Sequence, residues 1–413
     1  MFRDETAAFL REGYAFIGNR CSGQSPDGFT TRLGLRRTVC LRGAEAAAEF
    51  YDESRYQRAG AAPPRLLRTL FGRGGVQGLD GDAHRARKQL FLEVTRPQRV
   101  ASLAELFRGE WERRAAHWPG RRVVLYDQIG LILCRAVCEW AGVPLPPDRT
   151  AQLTRDLHAM IEGGAHIGPG YWRARLARLR WERWLGSLIR RVRAGEIPVA
   201  PGTALDAVAS YREPDGTVLG ERVAAVELLN VVRPVVAVDR WVVFVAHALH
   251  EHPQWRELLR GGDPVRTGAF VQEVRRHYPF FPAVIARART THTWHGLRIR
   301  RGDRVLLDLY GTNHDPRTWT APELFQPSRF ETATPDEFAF VPQGGGRADH
   351  GHRCPGESIA VAVMSTAAGL LAAGLSYDVP PQDLSIDLSR MPALPASGFV
   401  LDGVRSRTVA ARA

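Results

Sequence analysis

Lysine is almost absent from this chain of 413 residues, in which Lys88 is the only one. Arginine therefore carries nearly all of the positive charge, and the formal net charge is +12. The arginines are spread along the chain, and no zinc-finger or other nucleic-acid motif accompanies them, so a nucleic-acid partner is not expected. A hydrophobic share of 44% excludes a disordered chain.

Cysteine is scarce as well, with five residues in the chain. An odd number of cysteines in a chain of this length excludes a disulfide scaffold. Cys134 and Cys138 lie four residues apart on a predicted helix, and they are expected to be packed core thiols rather than metal ligands. The charged N-terminus lacks the apolar core of a signal peptide, so a reducing, cytoplasmic location is expected.

No apolar run has the character of a transmembrane span. The most apolar stretch, residues 228–249, is interrupted by Arg233, Asp239 and Arg240. Stable membrane insertion is therefore not expected.

Periodicity predicts a mainly α fold with small β-sheets, organised as one domain over residues 1–413. Helices are predicted over residues 97–117, 128–141, 172–192, 222–250, 265–277 and 356–373. Strands are predicted over residues 38–41 and 123–126, and between 291 and 309 around a turn at 301–303. The tail from 391 to 405 is expected to be extended.

The predicted central helix, 222–250, is apolar nearly all round and should cross the core, with a kink at Pro234. Arg233 needs a partner there, because a buried and unpaired guanidinium costs several kcal/mol. Asp239 or Glu227 could pair with it, although the six-residue spacing is unfavourable. A ligand carboxylate could equally bind it in bidentate fashion.

The helix predicted over 172–192 is strongly basic, with arginines at 173, 175, 178, 180, 183, 190 and 191. These arginines are interpreted as a solvated face, or as a surface that attracts an anionic ligand or lipid. The apolar residues expected to form its buried side are Leu176, Leu179, Trp184, Leu185, Leu188 and Val192.

A glycine-rich, cationic loop precedes Cys354, which stands directly before an apolar helix. The helix dipole, Arg353 and His352 are each expected to lower the pKa of the thiol. The residues alone leave three interpretations open: a capping cysteine, a catalytic nucleophile, and an axial thiolate ligand to haem iron.

Four segments in a fixed order resemble the cytochrome P-450 superfamily. They are Glu273-x-x-Arg276, Asn313-x-Asp315-Pro316, Phe325-Gln326-Pro327-Ser328-Arg329-Phe330, and the loop ending at Cys354. The resemblance implies haem sandwiched between the long central helix and the cysteine-ligand loop, and a buried ion network of Glu273, Arg276 and Arg329. The chain departs from the usual pattern in two places. Phe340 lies unusually far upstream of Cys354, and the central helix lacks the acid–threonine pair.

Arg233-Pro234 and the extended glycine loop are similar to the fatty-acid peroxygenase family of cytochromes P-450. The N-terminal segments 55–58, 69–72, 76–84 and 87–88 and the C-terminal segment 391–399 agree with that family. The similarity therefore extends over nearly the whole chain.

The resemblance implies haem b ligated through its iron by Cys354, and a fatty-acid carboxylate bound by Arg233 beside Pro234. The residues implied to hold the haem propionates are Arg58, His84, Lys88 and His352. Those implied to line the substrate cavity are Leu70, Phe71, Gln77 and Phe281. In this family glutamine at the position of Gln77 accompanies hydroxylation, whereas histidine accompanies decarboxylation.

The implied activity is hydroxylation of fatty acids at the alpha or beta carbon by hydrogen peroxide, without a redox partner. In it the bound substrate carboxylate acts as the general acid–base. The alternatives are decarboxylation to terminal alkenes, a conventional NAD(P)H-dependent monooxygenase, and a haem carrier or sensor without turnover.

Overall fold

The structure, a computed structural model, describes residues 3–21, 25, 27–164 and 168–406. It is mainly α-helical with small β-sheets, as predicted. The α-helices are Thr6–Glu12 (α1), Ala15–Gly18 (α2), Ala44–Phe50 (α3), Pro64–Leu66 (α4), Gly81–Val94 (α5), Pro97–Ala115 (α6), Leu125–Ala141 (α7), Thr150–Glu162 (α8), Pro169–Arg193 (α9), Ala204–Ser210 (α10), Glu221–Val236 (α11), Asp239–Glu251 (α12), Pro253–Arg260 (α13), Pro264–His277 (α14), Leu309–Asn313 (α15) and Glu357–Gly369 (α16). Short π-helical turns span Leu67–Phe71 and Leu370–Gly374, and 3₁₀ turns span Val76–Gly78, Pro147–Arg149 and Pro327–Phe330.

The strands form three small sheets in the described part of the chain. They are Gly28–Leu33 (β1), Arg36–Leu41 (β2), Tyr56–Gln57 (β3), Val123–Val124 (β4), Ala283–Ala288 (β5), His292–Trp294 (β6), Leu297–Ile299 (β7), Arg304–Asp308 (β8), Leu375–Asp378 (β9) and Val400–Ser406 (β10). The largest sheet has the order β1-β2-β8-β5-β3, the second β4-β10-β9, and the third is the hairpin β6-β7.

One strand prediction was wrong in detail. Leu125 and Tyr126 begin α7 instead of continuing a strand, because both belong to its buried face. The turn predicted at 301–303 is present between β7 and β8, where the Asp303 amide donates to the Arg300 carbonyl at 2.9 Å. A second turn lies at His295-Gly296, where both residues have positive φ, as a two-residue turn between antiparallel strands requires. β8 then pairs with β5 and β2 rather than with its sequence neighbour β7.

The predicted central helix is two helices, α11 and α12, separated at Ala237–Val238. Pro234 lies within α11 and has no N–H to donate to the preceding turn. The break follows one turn later, where the Val238 amide donates to the carbonyl of Val235 at 3.1 Å, a tighter turn than an α-helix makes. The predicted kink is therefore a break in the helix.

The buried side of helix α9 was predicted correctly in its second half, where Leu185 and Leu188 are buried, and wrongly in its first half. Leu176 is exposed, whereas Ala174, Ala177 and Arg178 are buried. The small alanines allow a close approach to the end of α8, where a Cβ on Gly163 would lie 2.2 Å from the Ala174 Cβ. This close contact turns Leu176 outward and Arg178 inward.

The site is positioned by two helix packings. α11 packs against α7 and α9, and α14 packs against α16 and the turn Pro327–Phe330. Cys134 and Cys138 are fully buried in the largest core cluster, as expected. Among the described residues, one helical segment, Glu357–Gly374, has the length and apolar character of a membrane span, and half of it is buried inside the molecule.

Candidate active site

The glycine loop before Cys354 is closely packed. Gly344 has φ of +101°, and a Cβ there would lie 2.7 Å from the Tyr51 hydroxyl, so glycine is required. The Cys354 amide donates to the Gln343 carbonyl at 3.2 Å, and the Gln343 side chain lies 3.8 Å from the Cys354 sulfur. Cys354 is a free, half-buried thiol at the start of α16.

Two arginines hold this loop to α16 through one carboxylate. Arg353 donates to both oxygens of Glu357, at 2.6 and 3.0 Å, and the buried Arg275 also pairs with Glu357. Burial raises the pKa of the Cys354 thiol, and the hydrogen bond from Gly356 and the charge of Lys88 offset only part of the rise. The predicted lowering of this pKa is therefore wrong for the protein by itself, because desolvation outweighs the hydrogen bond from Gly356 and the nearby positive charges.

The predicted ion network is present. Arg276 donates to both oxygens of Glu273 at 2.8 Å, and both side chains are fully buried. The Arg329 Nε atom lies 3.3 Å from the Glu273 carboxylate, and the Gln326 backbone amide donates to the same carboxylate at 2.7 Å. Arg276 also donates to the Asn313 carbonyl at 3.0 Å, so one network joins three separate segments.

Arg233 is buried on α11 and forms no ion pair among the described residues. Neither expected partner is available to it, because Glu227 pairs with Arg87 at 2.7 Å, and Asp239 pairs with Arg240 at 3.1 Å. The buried Nε atom of Arg233 lacks a hydrogen-bond partner in the described structure. Burial lowers the pKa of Arg233 to about 9, and the charge of Arg178 adds to this effect.

A polar chain runs along α11 toward Gln77. Glu227 accepts from Arg87 and, at 2.9 Å, from the Val76 amide. Its second oxygen lies 3.2 Å from the Asn230 amide nitrogen, which also donates to the Gln77 side chain at 3.1 Å. The structure therefore brings Gln77 to the helix that carries Arg233.

The other predicted cavity residues differ in exposure: Leu70, Phe71 and Pro234 are half-buried, whereas Phe281 is exposed. Leu70 and Phe71 are half-buried on the turn Leu67–Phe71, and the Leu70 carbonyl accepts from Arg178 at 2.7 Å. Pro234 is half-buried beside Arg233. Phe281 is 41% exposed, with its ring 4.7 Å from that of Phe280.

Three of the predicted propionate residues lie together. The rings of His84 and His352 stack at 3.8 Å, and His352 lies 3.7 Å from Asp80. Arg58 lies over the Phe50 ring at 4.3 Å, and it lines a cavity of about 250 Å³ together with Asp80 and His352. Burial lowers the pKa of His84 to about 3, and the charges of His352 and Lys88 contribute.

Lys88 lies on α5 one turn after His84 and is buried. Its ammonium group donates to the Arg353 carbonyl at 2.9 Å and to the Gly351 carbonyl. The only lysine of the chain thus holds the backbone of the loop immediately before Cys354. Burial lowers the pKa of Lys88 to about 8.

Comparison with known proteins gives the family. The cytochrome P450 family model matches residues 267–393. The crystal structure of cytochrome P450SP alpha (CYP152B1) in complex with (R)-ibuprophen is 47% identical and superposes with a TM-score of 0.95, covering 98% of this chain and 99% of that chain. This chain belongs to the CYP152 family of cytochromes P450.

Other members agree with this assignment. Cytochrome P450EX alpha (CYP152N1) with myristic acid is 42% identical, with a TM-score of 0.95 and coverage of 98% of both chains. A single-residue variant of cytochrome P450 OleT in complex with arachidonic acid is 34% identical, with a TM-score of 0.94, covering 98% of this chain and 97% of that one. Among curated relatives, cytochrome P450 4A10 of Rattus norvegicus is 29% identical over 137 residues, which are 33% of this chain and 26% of that protein. The chain thus matches about a quarter of the length of such curated relatives.

Membership of the cytochrome P450 family implies haem, and the residues present fit that group. A free thiol stands at the start of an apolar helix, as an axial ligand requires. The buried Nδ1 atom of His84 has no partner in the described structure, and Arg58 lies beside it with no described ion pair, so both are suited to anionic groups.

Sequence reasoning missed Asn230 and Arg87, and it gave Glu227 and Arg178 roles other than those in the structure. Asn230 lies three residues before Arg233 on the same helix face, and this spacing could have identified it. Arg178 lies between Ala174, Ala177 and Trp181 at helical spacing, which could have distinguished it from the solvated arginines.

Proposed function

We propose that this CYP152 protein is a haem-thiolate peroxygenase that uses hydrogen peroxide to hydroxylate fatty acids at the alpha or beta carbon. The observation that carries the proposal is Arg233, a buried guanidinium whose two candidate partners are both engaged elsewhere. A ligand carboxylate is the group that would satisfy it.

A fatty-acid carboxylate bound to Arg233 would have two roles. Bidentate pairing would fix the carboxyl end of the chain, so that the carbons next to it are the ones presented for reaction. The same carboxylate would accept and return the peroxide proton as a general acid–base. Arg233 would keep that carboxylate in place and ionised, and the desolvated surroundings would strengthen the pair.

Haem b, when bound through Cys354, would supply the oxidising chemistry of a thiolate-ligated iron, which favours cleavage of the O–O bond. Arg58, His84 and His352 would hold the propionates by charge-assisted hydrogen bonds. Lys88 would act on the same region, either on a propionate or through the loop carbonyls that it binds in the structure. Arg275 and Arg353 would keep the loop in place through Glu357.

The substrate chain would lie against Leu70, Phe71, Pro234 and Phe281. Gln77 would act at the carboxyl end, because its amide is hydrogen bonded to Asn230, one turn from Arg233. We propose that this arrangement favours hydroxylation over loss of the carboxyl group.

The test is turnover of Arg233→Ala at saturating fatty acid and hydrogen peroxide, with haem content measured in parallel. Loss of both anchor and acid–base group should lower kcat by about 10²-fold or more, beyond any rise in KM. Arg233→Lys should lose part of the activity, because it keeps the charge without the planar fork. Near wild-type turnover by Arg233→Ala at normal haem content would refute this role.

A second arm separates the proposal from its alternatives. A short acid such as acetate should allow wild-type protein to oxidise a carboxylate-free molecule with peroxide. Strict dependence on NAD(P)H and a reductase would indicate a conventional monooxygenase, and dominant terminal alkene would indicate a decarboxylase. Haem binding without turnover would indicate a carrier or sensor.

Reduced protein treated with carbon monoxide should show the red-shifted Soret band of thiolate ligation, and Cys354→Ala should lose it.

A further inference from the structure

The outer face of α9 carries exposed apolar residues that the proposed active site does not use. Trp172 is 58% exposed, and Leu176, one turn later, is 53% exposed. Among the large exposed apolar residues of the described chain, these two share a helix face. A tryptophan and a leucine exposed side by side indicate a surface that a partner covers.

Arginines surround this apolar pair. Arg173 and Arg175 come from α9, and the guanidinium of Arg175 lies 6.0 Å from the Trp172 ring. Arg68 comes from the turn Leu67–Phe71, which packs against α9. The guanidinium of Arg65, on the helix that leads into this turn, lies 5.0 Å from the Tyr171 ring, so the two segments meet at this ring. Although burial would raise it, the pKa of Tyr171 is lowered by Arg68 and Arg175.

The positive charge here is not balanced by acids. Residues 63–79 contain three arginines and residues 163–181 contain four, and neither range contains an Asp or a Glu. Three of the seven have interactions inside the molecule: Arg178 binds the Leu70 carbonyl and pairs with Glu182, Arg180 pairs with Asp156, and Arg65 lies over the Tyr171 ring. No described carboxylate pairs with Arg68, Arg173 or Arg175.

We propose that Trp172, Leu176, Arg68, Arg173 and Arg175, the arginine–tryptophan surface, dock reversibly on an anionic lipid bilayer. Tryptophan and leucine insert shallowly at the level of the headgroups, and the arginines around them pair with anionic lipid. A second copy of the same surface is disfavoured as the partner, because the arginines of the two copies would repel each other.

The surface lies at the edge of the proposed substrate cavity. Arg68 shares the turn Leu67–Phe71 with Leu70 and Phe71. Docking would bring this turn to the phase in which long-chain fatty acids concentrate. The inference concerns binding and stands independently of the peroxide reaction.

The experiment is sedimentation of the haem-loaded protein with vesicles of equimolar phosphatidylglycerol and phosphatidylcholine, and with vesicles of phosphatidylcholine alone. We expect binding to the anionic vesicles, weakening as sodium chloride is raised. Each arginine near the membrane surface contributes about fivefold to the partition coefficient. Arg68→Gln combined with Arg173→Gln should therefore lower this coefficient about 25-fold. Trp172→Ala combined with Leu176→Ala should lower it at least about tenfold.

Matched controls separate a defined surface from general charge. Arg108→Gln with Arg183→Gln removes the same charge from exposed positions on α6 and farther along α9. Val265→Ala with Leu324→Ala removes exposed apolar groups elsewhere, at 60% and 61% exposure. Both pairs should bind nearly as well as the wild type. Equal loss in the controls, or no binding to anionic vesicles, overturns the proposal. A molar mass that falls from dimer to monomer in Trp172→Ala/Leu176→Ala also overturns it, in favour of self-association.

Discussion

At the residue scale, α11 buries one paired and one unpaired charge, six residues apart. Glu227 is satisfied by Arg87, the Val76 amide and Asn230. Arg233 has no such set of partners among the described residues. A buried unpaired charge is unfavourable for folding, so its presence at this wall is best explained by a ligand that completes it.

Replacing Gln77 should change the products rather than abolish turnover. Gln77→His substitutes a group that titrates near neutral pH for a neutral amide beside Asn230. We expect the fraction of terminal alkene to rise severalfold, at the expense of hydroxy acid, in gas chromatography of the products. Gln77→Asn keeps an amide and is the control. An unchanged product ratio in Gln77→His would contradict the proposed role.

The buried His314 and the half-buried His277, whose Nδ1 atom is buried, should make stability depend on pH. Burial lowers the pKa of His277 to about 3 and that of His314 to about 4, from an ordinary 6.5, and the charge of Arg276 contributes to both. Between about pH 6.5 and pH 4 the unfolded chain binds protons that the folded chain does not. The free energy of unfolding should therefore fall with decreasing pH in this window, by up to about 1.4 kcal/mol per pH unit for each histidine, and be unaffected above it.

The measurement is urea denaturation of haem-loaded protein at pH 7 and pH 5. Between pH 7 and pH 5, the free energy of unfolding of His277→Gln should fall by about 2 kcal/mol less than that of the wild type, because one of the two titrating groups is gone. His117→Gln, at an exposed position, should behave like wild type. An identical loss in His277→Gln and wild type would show that His277 is not held neutral by burial.

At the element scale, the contact between α8 and α9 decides which residues α9 exposes. Gly163 at the end of α8 lets Ala174 approach so closely that a side chain has no space. That approach sets the rotation of α9, with Arg178 inside and Trp172 outside. The proposed docking surface therefore depends on a glycine and two alanines that bear no charge.

Gly163→Ala should destabilise the protein by about 1–3 kcal/mol, because its Cβ would lie 2.2 Å from the Ala174 Cβ and 2.7 Å from the Ala159 carbonyl oxygen. Gly109→Ala, within α6, is the matched control, since no atom lies within 4 Å of the Cβ position. It should be neutral or more stable by up to about 1 kcal/mol, as alanine is the better helix former. Urea denaturation of both variants measures the difference, and similar effects would contradict the close packing.

At the scale of the whole molecule, the network around Glu273 joins α14, the end of α15 and the segment 324–329 behind the cysteine loop. These segments are distant in sequence, so their alignment depends on one buried carboxylate. We propose that residues 1–413 fold as a single domain, for which calorimetry should show one unfolding transition.

Glu273→Gln should remove about 3–5 kcal/mol of stability, because the buried Arg276 and the half-buried Arg329 would be left without a counter-charge. Glu257→Gln is the control, since Glu257 and Arg260 form a pair of the same three-residue spacing on the surface. That substitution should change stability by less than about 1 kcal/mol. Denaturation curves for the two variants, with haem content, provide the comparison, and equal effects would refute the importance of the buried network.

Several features were determined by local sequence. The three glycines, the cationic residues and Cys354 before an apolar helix are contiguous, so the loop and the thiol at the helix start could be predicted together. Glu273 and Arg276 are one turn apart on a helix, and their pairing follows from that spacing. The mainly α fold followed from the 3.6-residue period, which operates within each helix.

Other features were decided by the tertiary structure, because they depend on residues far apart in sequence. Arg233 lacks a partner only because Arg87, 140 residues from Glu227, takes the carboxylate that could have paired with it. Arg178 is buried because its helix approaches α8 at Gly163, and the strand after residue 300 pairs with β5 and β2 rather than with its neighbour. A sequence pattern records which side chains share a face, whereas competition for a partner is resolved only when the elements pack.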